Sequence, residues 1–149
     1  MVTRVFVDSS ALLALLDRAD PRHTQARDTF TGFADADLVS HGYVVAETLA
    51  VTRRRLGVDA TIAVIDDLLP AIDVLPVTPA EHATALARYR ASLPSGTSFV
   101  DQVSVQVIER EGIAAAFVLD ADFAANGVEM LPAARRAQGR HRRSVTDSG

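Results

Sequence analysis

The chain has 149 residues, of which 48% are hydrophobic and 23% charged, the balance of one folded domain and not of a disordered chain. It contains no cysteine, which excludes disulfides, thiolate zinc sites, iron–sulfur clusters and a cysteine nucleophile. Its net charge of −4 is uneven: residues 1–132 hold 10 Arg against 18 Asp and Glu, whereas residues 133–149 hold 5 Arg against 1 Asp. An acidic body of this kind does not bind nucleic acid through bulk charge, so any such role must rest on a local site or patch.

Val2–Val7 is a β-branched apolar run and reads as a buried strand. Asp8-Ser9-Ser10 then supplies helix-start residues ahead of Ala11–Leu16. A helix is predicted over 22–33, a short strand over 37–40, a helix over 41–55 closed by Gly57, and another over 60–69 capped by Asp59 and followed by Pro70. Ile72–Val77 reads as a strand, and Thr78-Pro79-Ala80-Glu81 combines a capping box with proline at the first helical position. Ser98 caps a helix over 99–111 that Gly112 ends, Ala115–Leu119 is a buried strand, and one or two helical turns come next before a last strand over 128–131. Strands and helices alternate at spacings too long for hairpins, which predicts an α/β domain with a parallel sheet and helices on both faces. Beyond Pro132 apolar periodicity stops, so 133–149 is expected to be a basic, flexible tail. The longest apolar run, Ile113–Leu119, has seven residues, too short to span a bilayer, and the first residues lack a secretory pattern. A cytoplasmic location without membrane attachment is the expectation.

The informative feature is the placement of carboxylates. Asp8 follows the first strand directly and Asp120 follows Phe117-Val118-Leu119. Parallel strands bring both to the sheet edge where ligands bind, although an Asp after a strand is also a common helix cap. Glu47 has Tyr43, Val44, Ala50 and Val51 as its helical neighbours, so it faces the side expected to be buried. There it needs an arginine, a metal or a water-filled cleft. Asp101 lies in the first turn of its helix, where the dipole favours negative charge; its neighbours Thr97, Ser98, Ser104 and Val105 are small and leave room for a ligand. Asp122 either joins the group or caps the next helical turn.

Carboxylates gathered on one edge repel, by about 4 kcal/mol for a pair at ~4 Å and an effective dielectric near 20. They need a cation. His23, His41, His82 and His141 are scattered and read as surface or core residues. All-oxygen ligation suits Mg²⁺ or Mn²⁺ better than Zn²⁺ or Cu²⁺, and the chemistry such an ion supports is hydrolysis of a phosphate ester or phosphodiester.

Four blocks in order resemble the PIN-domain family. They are Val5–Leu15 around Asp8, Val45-Ala46-Glu47-Thr48-Leu49, Ser98–Ser104 around Asp101, and Phe117–Gly127 around Asp120. The match runs over about residues 4–132, and the length is similar to that of the VapC-type toxin branch of toxin–antitoxin pairs. The resemblance implies a three-layer α/β/α domain over 1–132 with a short, mainly parallel sheet flanked by helices. It also implies an Mg²⁺- or Mn²⁺-dependent endoribonuclease that cuts structured RNA such as tRNA or rRNA, forms a homodimer, and is inhibited by a cognate VapB-like antitoxin. Asp8, Glu47, Asp101 and Asp120 match the catalytic, metal-holding acids and Asp122 the frequent extra acid. Ser10 matches the hydroxyl that supports the first Asp, and Ser98 stands as a second supporting hydroxyl. One departure is Val118, where the family often carries Thr or Ser.

Two other readings stay open. A PIN-like module can bind RNA or protein without cutting, although that reading predicts loss of an acid and all four are present. An acidic α/β phosphohydrolase of small phosphate esters is the other, but those with a covalent Asp usually carry Asp-x-Asp after the first strand, and here Ser10 holds the second place. Arg53-Arg54-Arg55 and the tail residues Arg135, Arg136, Arg140, Arg142 and Arg143 are candidate phosphate contacts, or else a solvated helix end and a basic tail. The apolar stretches 11–16 and 60–69 read equally as core or as dimer surface.

Overall fold

The computed structural model describes residues 3–120, 123, 125 and 127–133. Asp122 and the arginines of the predicted tail lie outside the described residues, as do parts of the expected turns after Asp120. Five strands, β1 (Arg4–Val7), β2 (Asp37–His41), β3 (Ile72–Leu75), β4 (Ala115–Phe117) and β5 (Glu129–Leu131), form one sheet in the order β3-β2-β1-β4-β5. Every neighbouring pair is parallel, with Phe6 opposite Val39 on one side and opposite Ala116 on the other.

The helices are α1 (Ser9–Leu16), α2 (His23–Thr31), α3 (Gly42–Arg55), α4 (Val58–Ala63), α5 (Pro79–Ala91) and α6 (Phe99–Glu111). Side chains alternate across a strand, so Val5 and Val7 point to one face of β1 and Phe6 to the other. All three are buried, which means helices cover both faces. Phe6, Phe117, Leu12, Val39, Val44 and Ile108 fill the core between these layers. The expected α/β architecture is the one observed. Among the described residues no helix is long and apolar enough to cross a membrane.

Local chemistry explains most boundaries. Thr78 and Glu81 form the reciprocal capping box that opens α5 on Pro79, and Ser98 with Asp101 does the same for α6. Gly112 ends α6 in the left-handed region at φ 61°, where a side chain would be strained.

Two expectations need correction. The helix expected over 60–69 is broken: α4 starts after Gly57, widens into a π-helical turn over Val64–Leu68, and ends in a 3₁₀ turn over Leu69–Ala71. Pro70 has no N–H to donate and its ring crowds the carbonyl four residues back, so the α ladder cannot run into it. His41 is also not the first residue of a helix. It ends β2 and caps α3, its ring nitrogen accepting from the Tyr43 and Val44 amides while Nε2 meets Ser104 Oγ at 2.8 Å. Burial holds its pKa down to about 4, so the ring stays neutral in the core.

Of the two apolar stretches, 11–16 is core, with Ala11, Leu12 and Ala14 fully covered. In the second, Ile62 and Ile65 join Val58 in an exposed strip, each about half accessible at 49%, 49% and 53%.

Candidate active site

Strand order runs one way from β1 through β2 to β3 and the other way from β1 to β4 and β5. The order in which strands are added therefore reverses between β1 and β4, and in open parallel sheets the crevice outside such a switch point is where ligands bind. Asp8 leaves β1 at this point, and Asp120 follows β4 by three residues. A cleft of about 420 Å³ opens here, lined by Asp8, Glu47, Asp101 and Asp120, by Ser9, Ser10 and Ser98, and by Asp17, Asp20, Arg22 and Arg55.

Asp8 is 2% exposed and caps α1. Its Oδ2 accepts from the Ser10 amide at 3.0 Å and from Ser10 Oγ at 2.6 Å. Its Oδ1 is buried without a partner among the described residues. Burial raises its pKa, as does the charge of Glu47, against the lowering effect of the Ser10 bonds.

Ser10 does more than support Asp8. The same Oγ accepts from the Leu119 amide at 2.9 Å and the Asp120 amide at 3.2 Å, tying the start of α1 to the exit of β4. Val118, at the position where the family often has a hydroxyl, is buried aliphatic core, and its amide is spent on Leu131 in β5. The hydroxyl that reaches the Asp120 segment thus comes from Ser10. Removing it in Ser10→Ala leaves two amides and a carboxylate oxygen without that partner. The expected cost is about 1–3 kcal/mol in chemical denaturation, and supporting groups of this kind typically change metal affinity about 10–100-fold. Unchanged stability and unchanged metal affinity would refute that role.

Glu47 is half-buried on α3 and accepts from Ser9 Oγ at 2.8 Å. Of its three expected partners, the structure provides the open cleft, and no arginine pairs with it among the described residues. Asp101 is 4% exposed. Its amide donates to Ser98 Oγ, and its Oδ2 accepts from the Ser98 amide at 3.1 Å. Burial pushes its pKa up to about 6, opposed by the Ser98 bonds and reinforced by the charges of Asp8 and Asp120. The four acids predicted from sequence are therefore brought to one cleft, where several feel one another's charge.

Sequence reasoning misses Asp17, Asp20 and Arg22. The Asp20-Pro21 turn is legible, but its place on the cleft is not. Arg22 grips both oxygens of Asp20 at 3.2 Å and donates from Nη1 to the Leu119 carbonyl at 3.0 Å, a contact between residues 97 positions apart. That hydrogen bonding with Asp20 raises the pKa of Arg22, helped by the charges of Asp20 and Asp120. Of the three arginines at the end of α3, Arg55 lines the cleft.

Among the described residues no three acidic or histidine side chains stand close enough together to enclose an ion as they are. The donor set nevertheless suits a hard divalent cation. Every candidate ligand is a carboxylate or hydroxyl oxygen, and Asp8 Oδ1 is a buried carboxylate oxygen with nothing among the described residues to accept from. Mg²⁺ is commonly held by one or two carboxylates while keeping its waters, so a closed cage is not required.

A fold of this topology with an acidic switch-point cleft defines a class, and the chain belongs to it: a profile of the PIN domain family matches residues 5–129, and the chain is a member of that family. It is 33% identical over 135 residues to the 23S rRNA-specific endonuclease VapC20 of Mycobacterium tuberculosis, covering 86% of this chain and 98% of that protein. It is 44% identical over 64 residues to Ribonuclease VapC26 of the same organism, covering 43% and 47% of the two. The crystal structure of VapC20, described as a sarcin-ricin loop cleaving toxin, matches with a TM-score of 0.72 at 28% identity over 80% of this chain and 92% of that one. DNA-bound VapBC of Salmonella typhimurium shares the fold, with a TM-score of 0.59 at 13% identity over 87% and 97% of the chains.

Proposed function

We propose that this protein is a VapC-type endoribonuclease that hydrolyses a phosphodiester of structured RNA, with ribosomal RNA the favoured substrate, and acts as the toxin of a toxin–antitoxin pair. The observation that carries the reading is the gathering of Asp8, Glu47, Asp101 and Asp120 around one cleft, in a chain similar to a 23S rRNA-specific endonuclease along nearly that protein's whole length.

Asp8, Asp101, Asp120 and Glu47 would hold Mg²⁺ or Mn²⁺, with Asp122 a further candidate. Such an ion supplies an acidified water and positive charge at the phosphate. The chain's own residues prepare the place. Ser10 fixes the Asp8 carboxylate through Oδ2 and leaves Oδ1 free to accept, Ser98 fixes Asp101, and Ser9 fixes Glu47. Locked side chains of this kind need no reorganisation during the reaction. No protein nucleophile is required. Partners in this reading are a VapB-like antitoxin and a second copy of the chain, for which Val58, Ile62 and Ile65 offer apolar surface. The setting is cytoplasmic.

The test is cleavage of 23S rRNA while Mg²⁺ and Mn²⁺ are titrated, with EDTA as the metal-free arm and a mononucleotide ester as a competing substrate. Cuts at discrete positions that need the divalent ion are expected. Hydrolysis of the mononucleotide ester with intact rRNA would point instead to a small-ester phosphohydrolase, and RNA binding without any cut to a non-cleaving module.

A further inference from the structure

The cleft is a hard place for an RNA backbone to enter. Six carboxylates line it, and among its described lining residues only two side chains are cationic, Arg22 and Arg55. The long-range charge of the body does not help, because it is acidic too. Whatever draws the phosphates in must act locally, and these two arginines are built differently for it.

Arg22 is held rigidly. Its backbone amide and its Nε both donate to Asp20 Oδ1, Nη2 reaches Asp20 Oδ2, and Nη1 reaches the Leu119 carbonyl. Three side-chain N–H groups are thereby used; a guanidinium has five, so two remain for a ligand on a plane that is already oriented. The Leu119 contact sets this cation beside Asp120, close to where the phosphate under attack must lie. Arg55 is the opposite case. It sits exposed in the last turn of α3, with no ion pair among the described residues. Glu47, Val51 and Arg55 succeed one another at i, i+4 and i+8 along the cleft, which puts Arg55 roughly 12 Å along the helix from Glu47.

We propose that Arg22 and Arg55 form a two-point phosphate clamp on either side of the carboxylate cluster, Arg22 orienting the backbone next to the reacting phosphate and Arg55 capturing a phosphate further along the strand. The clamp rests on the reading of the chain as an RNA nuclease and adds the residues that hold its substrate. It singles out Arg55 from the Arg53–Arg55 run, because Arg53 and Arg54 do not line the cleft.

The experiment measures binding of a fluorescently labelled 23S rRNA hairpin fragment in EDTA between about 50 and 200 mM KCl, using the cleavage-blocked Asp8→Asn chain as background. Each neutralised phosphate contributes about 0.7–0.9 to the slope of log affinity on log salt. Arg22→Gln and Arg55→Gln should each flatten the slope by about that amount, the double variant by about twice as much, and Arg55→Lys should restore it, while Arg54→Gln leaves it unchanged. Equal slopes for both Gln variants and the arginine-intact background overturn the clamp, as does an arginine-intact background that fails to bind. Arg55→Gln lies on an exposed helix end, so its result stands even if Arg22→Gln disturbs the turn. Parallel cleavage by the parent chain with Mg²⁺ separates the two failures. Cleavage with unaltered slopes removes only the clamp, and absence of cleavage removes the nuclease reading beneath it.

Discussion

Asp8→Asn is expected to reduce RNA cleavage at least about a hundredfold while leaving the fold intact, because a loss of a few kcal/mol at the transition state is worth that much in rate. The substitution keeps the shape of the side chain. The amide oxygen can replace Oδ2 as acceptor for the Ser10 amide and hydroxyl. The amide nitrogen then takes the place of Oδ1, the buried oxygen with no partner. A cation that would have met a lone pair meets two N–H donors. Burial and the nearby Glu47 charge already disfavour the Asp8 carboxylate, and relief of that charge offsets the cost of burying the two unpartnered N–H donors, so the metal-free protein should stay folded with stability close to the parent's. Parallel measurements of rRNA cleavage, Mg²⁺ affinity and thermal unfolding check this. Parent-like cleavage by the variant would remove Asp8 from the site.

Asp101→Asn is expected to stabilise the metal-free protein at neutral pH, and to lose that advantage in acid. The pKa of Asp101 is about 6 in the folded chain against an ordinary aspartate value of 3.8. A carboxyl group raised on folding binds its proton more tightly in the folded state, so it costs stability wherever it is ionised. Below about pH 3.8 the group is protonated in both states and costs nothing. Between about pH 3.8 and 6 the cost grows by about 1.4 kcal/mol per pH unit, and above about pH 6 it levels off near 3 kcal/mol. Asn can accept the same Ser98 amide bond without the charge. Denaturant unfolding in EDTA at about pH 7.5 should therefore show the variant more stable by about 2–3 kcal/mol, with the difference vanishing near pH 3.5. Comparing parent and variant at each pH cancels His41, whose lowered pKa moves stability in the opposite direction. A variant no more stable than the parent at pH 7.5 would mean that Asp101 is not strained by burial. The same variant should be inactive, since the charge that destabilises the metal-free protein is the one an ion requires.

Much of the fold was legible because its signals are local. The Thr78–Glu81 and Ser98–Asp101 capping boxes, Gly112 as a stop and the unbroken apolar run of β1 are chemical statements within four or five residues, and each element appears where those residues place it. The break at Pro70 was half legible. Proline announced that a helix must end, but whether the preceding turn would stay α-helical or widen depended on how the chain had to reach β3. Glu47 was readable as a carboxylate on a face that needed a partner, yet its partner, Ser9, is 38 residues away.

The order of residues was enough to set the inventory of this protein: four acidic blocks in succession, no thiol or imidazole cluster to compete with them, and strands and helices alternating so that Asp8 and Asp120 had to leave the same edge of a parallel sheet. Packing in three dimensions was needed to settle which oxygen is left without a partner, that Ser10 bonds at once to Asp8 and to the Asp120 segment, and that Arg22 and Arg55 stand in the cleft while Arg53 and Arg54 do not. The difference is one of range. Caps, breakers and apolar periodicity act between neighbours along the chain, whereas burial, carboxylate repulsion and the reach of a guanidinium depend on distances that exist only after residues about a hundred positions apart have packed together.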